Sequence, residues 1–151
     1  MKAFLKRLLF GPASRSIDHP VFGKMTLMET KSGAYWEAEP ELNGEVIGVG
    51  IETADGEEPT PEQERFYQEI TSNLTAAFAR ASPAIAPRYE EWVKKPLPSD
   101  WKSAFTFAGL SIPVNGDDKN EWELQFDSIE VGHMFTCYFE EGKPVGVSID
   151  G

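Results

Sequence analysis

Two histidines and one cysteine carry most of the proton-transfer and nucleophile chemistry this 151-residue chain could offer. His19 follows Asp18 and precedes Pro20, and an Asp-His pair can move a proton. No third partner is visible, so shaping the turn into the next strand is the simpler reading. His133 and Cys137 share one side of a strand, the placement that a thiolate–imidazole dyad would need. Cys137 sits among Met134, Phe135, Tyr138 and Phe139, however, and a thiol buried in such company is inert. No catalytic residue is assigned. A single cysteine also excludes an intramolecular disulfide and any multi-cysteine metal site.

Other short patterns are weaker. Glu37, Glu39 and Glu41 alternate on one strand, and paired carboxylates can run glycoside hydrolysis. Three in a row also make an outward, solvated strand face that resists edge pairing. Asn115-Gly116-Asp117-Asp118-Lys119-Asn120-Glu121 lacks the ligand spacing of a calcium loop and reads as a turn. Gly48-Val49-Gly50 lacks the third glycine of a dinucleotide fingerprint and is followed by strand pattern. Asn73-Leu74-Thr75 matches a glycosylation acceptor but falls mid-helix in the pattern. No metal ligand set and no cofactor are assigned.

The charge is more informative. The formal net charge is −11. Between Lys31 and Arg65 there is no basic residue, while Glu37, Glu39, Glu41, Glu45, Glu52, Asp55, Glu57, Glu58, Glu62 and Glu64 all fall there. Such a surface repels nucleic acid and attracts cationic partners. The candidate binding residues are Glu37, Glu39, Glu41, Glu57 and Glu58, and the expected partner is a basic protein. The plainer reading is that these acids keep the chain soluble.

Residues 1–15 are the opposite: Lys2, Lys6, Arg7 and Arg15 with no acid. Lys6 and Arg7 interrupt the apolar run, and Leu8-Leu9-Phe10 is too short for the apolar core of a signal peptide. Phe4, Leu5, Leu8 and Leu9 would line one side of a two-turn helix. Docking on the domain or fraying is the expectation, ahead of membrane-surface contact through residues 1–10. The expected organisation is a basic segment over residues 1–16 and a single domain over 17–151, in a cytoplasmic setting.

The elements that must position these residues read clearly. Thr60, Pro61 and Gln63 form a capping box with proline at the first helical position. Phe66, Ile70, Leu74, Ala77, Phe78 and Ala81 follow at spacings of three and four, so the pattern predicts one long amphipathic helix over 60–81. Ser82-Pro83 predicts its stop, with a second short helix burying Ile85, Tyr89, Trp92 and Val93. Three strands are expected before the helices: Val21 to Thr30, Ala34 to Glu41 and Glu45 to Thr53. Asn43-Gly44 turns a hairpin between the last two. Four more follow, and Trp122, Leu124 and Phe126 alternate with Glu121, Glu123, Gln125 and Asp127. Val145, Val147 and Ile149 are expected as the last inward face. The order βββ-αα-ββββ with short turns implies an α+β fold, a two-layer sandwich of a mainly antiparallel sheet and a long helix.

His19-Pro20-Val21-Phe22-Gly23, Tyr35-Trp36-Glu37, Pro61-x-Gln63 and Tyr89-Glu90-Glu91-Trp92 occur in that order. The arrangement resembles a group of small bacterial proteins of unknown function, some of them similar to immunity proteins encoded beside polymorphic toxins. The resemblance spans residues 18–140 and implies an α+β domain that works by binding. It brings no functional residues with it. The leading expectation is a non-enzymatic, acidic, immunity-like binding module. The alternative is a small enzyme with a carboxylate or His133 site in a cleft between sheet and helix.

Overall fold

The computed structural model describes residues 13–151. The expected helix in the basic N-terminal segment lies outside them. The long strands are β1 (Ala13–His19), β2 (Gly23–Thr30), β3 (Gly33–Ala38), β6 (Gly48–Glu52), β7 (Phe105–Ile112), β8 (Trp122–Ser128), β9 (Met134–Glu140) and β10 (Lys143–Asp150). They make one sheet in the order β1-β2-β3-β6-β7-β8-β9-β10. Two-residue strands β4 (Glu41–Leu42) and β5 (Glu45–Val46) form a small separate ribbon. Asn43 and Gly44 turn it with φ of 53° and 84°, as the Asn-Gly signal predicts. Every neighbouring pair in the large sheet is antiparallel except β6–β7, which is parallel. The connection between those two strands carries both helices, as parallel neighbours require.

Strand β1 was not expected. Ala-Ser-Arg-Ser-Ile-Asp-His has one large apolar residue and no alternation, which suits an edge strand that pairs along one side only. Residues 13–16 thus belong to the sheet, and the strand runs through the expected boundary at 16/17.

The helices also differ from the expectation. Helix α1 spans Pro61–Ser72 and α2 spans Leu74–Val93, with Asn73 between them at φ −146° and ψ 77°. Asn73 ends one helix and caps the next, its side chain accepting from Ala76 N at 3.1 Å. The break therefore falls ten residues before Pro83 in the numbering, and α2 runs through both Pro83 and Pro87. Both prolines lie on the exposed side, four residues apart, where a helix can open outward. The Ala79 carbonyl that Pro83 cannot engage accepts instead from Ser82 Oγ at 3.1 Å.

The capping box forms as read: Gln63 N donates to Thr60 Oγ1 at 3.2 Å, and Thr60 N donates to Gln63 Oε1 at 3.0 Å. Gln63 does more than the box requires. Its buried amide donates to the Glu52 and Pro113 carbonyls at 2.6 and 3.0 Å, tying the start of α1 to the ends of β6 and β7.

Both helices pack on one face of the sheet. Phe66, Ile70, Ala77, Phe78 and Ala81 are buried as the spacing predicts, and Leu74 is partly buried. Phe78 stacks on Trp101 at 5.2 Å and meets Phe126 edge-on at 5.1 Å. Phe66 meets Trp122 edge-on at 4.9 Å, and Trp122 stacks on Phe139 at 4.1 Å. Each such ring contributes about 1.5–3 kcal/mol by leaving water. Trp92, expected inside, is 43% exposed and packs against His133. Val145 is 54% exposed because a register shift between Pro144 and Gly146 turns it outward. Among the described residues, no helix is long and apolar enough to cross a membrane.

Candidate functional site

Strand register decides what the second face, turned away from the helices, can offer. Thr26, Glu37, Gly50, Ser111, Glu123, Tyr138 and Gly146 are aligned across seven strands. This row is polar where its neighbour row, from Met25 through Leu110 and Leu124 to Cys137, is apolar core. Toward one end of the row lies a cleft of about 900 Å³. Glu52, Ser111, Glu123 and Tyr138 line its floor, and Glu121, Glu140 and Glu141 line its rim with Lys119. Among the described residues that line it, five are carboxylates and one is a lysine.

Sequence reasoning placed Glu121 and Glu123 outside the core but did not single them out. The signal was the even alternation along β8 and the Glu140-Glu141 pair after β9. What the sequence lacks is the register that sets Glu123 opposite Tyr138 and Trp122 opposite Phe139.

The five acids chosen from the sequence do not form one row. Glu37 points onto the second face and is 4% exposed, so it is not part of a solvated surface. Tyr35 donates to its Oε1 at 3.1 Å. Burial pushes the Tyr35 phenol well above its usual range, with the Glu37 charge adding to the effect. Glu39 and Glu41 are exposed beyond the Ala38 end of β3. Glu57 and Glu58 are exposed after a 3₁₀ turn at Ala54–Gly56, which follows the Glu52 end of β6, and Glu52 pairs with Tyr35 near the other end of β3. The Glu57 carbonyl accepts from Trp36 Nε1 at 2.8 Å, which fixes this loop against the core.

The other candidates have local duties. His19 Nδ1 accepts from Val21 N at 3.0 Å and Phe22 N at 3.4 Å, closing the β1–β2 turn. Its Nε2 faces Glu64 at 3.4 Å, so its acidic neighbour comes from α1 rather than from Asp18. His133 precedes β9 while Cys137 lies four residues along it, about 13 Å away in extended chain. No hydrogen bond spans that gap, and burial pushes the Cys137 thiol up to about 12. In the Asn115–Glu121 turn, Asp117 takes Lys119 N at 3.0 Å and Asp118 pairs with Arg80 at 3.2 Å. Among the described residues, no group of three or more His, Cys, Asp or Glu converges as a metal site. The Gly48–Gly50 stretch meets another backbone: a Cβ on Gly109 would stand 2.0 Å from the Gly48 carbonyl oxygen. The space between helices and sheet, where the enzyme reading places its cleft, is filled by Phe66, Phe78, Phe105 and Phe126.

No protein-family model, curated protein or solved structure matches this chain.

Proposed function

We propose that this protein is a non-enzymatic, immunity-like binding module that presents its acid-lined cleft to a basic protein partner. The observation that carries the reading is the cleft beside β8 and β9, whose described lining brings together Glu52, Glu121, Glu123, Glu140 and Glu141 with Lys119. Carboxylates so placed steer a cationic surface inward and set its orientation. The exposed Glu39, Glu41, Glu57 and Glu58 extend the negative field beyond the cleft and speed encounter. A reducing, cytoplasmic setting fits a chain whose one cysteine is buried.

The test is capture of partners on the immobilised full chain from an extract of its source cells, followed by reconstitution of the purified pair. The reading expects a basic partner that competes for the cleft and loses affinity when Glu121 and Glu140 are replaced by lysine. A partner that binds these variants as tightly as the wild type would overturn it.

A further inference from the structure

Strand β6 is shorter than β7 and leaves part of it bare. It begins at Gly48, opposite Gly109, so residues 105–107 of β7 have β8 on one side and no strand of the sheet on the other. The chain that would extend β6 backward leaves the sheet instead. Ile47 N donates to the Pro40 carbonyl at 3.0 Å, and the residues between fold into the β4–β5 ribbon. A pocket of about 270 Å³ opens between the ribbon and the bare end of β7. Ile47, Trp101, Phe105 and Phe107, all buried, form its base, with the partly buried Leu42 and Leu74 beside them. Glu45 and Lys102 line it as exposed groups, at its mouth. Among the described residues, neither of these two side chains has an ion-pair or hydrogen-bond partner; the Lys102 ammonium lies 5.9 Å from the centre of the Trp101 ring. None of these residues lines the acid-lined cleft.

We propose that this pocket binds a free amino acid with an aromatic side chain. Three observations select that occupant. The first is size. A sealed apolar cavity of about 150 Å³ takes one benzene ring, so this larger, open pocket has room for a ring and the short stem that carries it. It falls below the roughly 300 Å³ at which pockets for larger ligands begin. The second is the wall. Trp101, Phe105 and Phe107 offer ring faces and edges, the surfaces against which another aromatic ring packs best. The third is charge. An amino acid carries one carboxylate and one ammonium group, and the mouth carries one charge of each sign to receive them: Lys102 for the carboxylate, Glu45 for the ammonium. An uncharged aromatic compound would gain nothing from either. A zwitterion is also neutral as a whole, so the formal charge of −11, which repels a simple aromatic acid, does not repel it.

This binding is independent of any partner at the cleft, and its test needs none. The isotope-enriched full chain is titrated with L-phenylalanine, with phenylpropanoate, which lacks the ammonium, with phenethylamine, which lacks the carboxylate, and with glycine, which lacks the ring. Backbone amides are followed by NMR. The expected result is saturable shifts at residues 41–47 and 101–107 with phenylalanine, and none there with glycine. The two probes of single charge are expected to bind about two- to fivefold more weakly than phenylalanine, the range for one solvent-exposed ion pair. Lys102→Met should weaken phenylalanine by that factor without weakening phenethylamine. Glu45→Gln should weaken phenylalanine without weakening phenylpropanoate. Both positions are exposed, so the variants keep the fold. The absence of saturable shifts at these amides up to the solubility of phenylalanine would overturn the proposal. So would a single-charge probe that binds as tightly as phenylalanine, or an affinity for phenylalanine that neither variant changes.

Discussion

Tyr35 and Glu37 stand two residues apart on the same side of β3, the phenol donating to the carboxylate across 3.1 Å in a setting where Glu37 is almost fully buried. A carboxylate on an exposed sheet face would not need such a donor. Replacing Tyr35 with Phe removes the donor and keeps the ring. The expected cost is about 1.5–3 kcal/mol, the range for a hydrogen bond to a charged group. Denaturant titration of Tyr35→Phe beside wild type measures it, and an unchanged midpoint would show that this bond carries no weight.

Alkaline stability should reflect two buried acids. The Tyr35 phenol and the Cys137 thiol are both raised above their ordinary values, chiefly by burial. Each folded-state group therefore holds its proton at a pH where the unfolded chain has lost it. Their contribution is complete below the unfolded values, near pH 9 for the thiol and about 10 for the phenol, and is lost as pH rises. For the thiol the window runs from 9.0 to about 12. In Cys137→Ala, the fall of stability across that window should be shallower, by up to about 1.4 kcal/mol per pH unit. Equal slopes in the two proteins would contradict the assignment.

Gly109 and Gly48 face each other across the one parallel strand pair, but they are not equivalent. A Cβ on Gly109 would lie 2.0 Å from the Gly48 carbonyl oxygen, whereas one on Gly48 finds its nearest neighbour at 4.0 Å. Gly109→Ala is expected to cost about 1–3 kcal/mol by forcing β6 and β7 apart. Gly48→Ala should cost little by comparison. Thermal unfolding of the two variants side by side separates them, and equal losses would show that the close approach is not what the glycine serves.

Asn73 is the hinge between α1 and α2. Asn73→Ala removes the side-chain acceptor for Ala76 N and should cost about 0.5–2 kcal/mol. Pro83→Ala, at an exposed site where the freed Ala79 carbonyl already has the Ser82 hydroxyl, should be neutral or stabilising. Helical circular dichroism and denaturant midpoints check both.

Much of this architecture is legible in the sequence where one local rule acts alone. Thr60 and Gln63 form the capping box, Asn43-Gly44 makes its tight turn, and Trp122, Leu124 and Phe126 alternate into the core. The misreadings arise where two rules compete or where a distant partner decides. Pro83 reads as a stop because the sequence does not show that its ring faces solvent. Asn73 reads as mid-helix because Leu74 and Phe78 continue the apolar stripe in step with Phe66 and Ile70. Strand β1 has no alternation, because its pairing with β2 does the work. Glu37 reads as solvated because period-two alternation gives the side of a strand and not what covers that side. The acid-lined cleft was illegible for a related reason: Glu52, Glu123 and Glu140 come from three strands, and only register brings them together.

The central claim is that the hollow beside β8 and β9 receives a basic protein surface. The most direct measurement is the association rate of the purified pair as a function of salt, for wild type and for the Glu121→Lys/Glu140→Lys double variant. The account predicts a wild-type rate that falls about tenfold or more from low salt to a few tenths molar, as expected for steered encounter. It predicts a variant that is slow throughout and nearly indifferent to salt. A variant that associates as fast as wild type, with the same salt dependence, would contradict it.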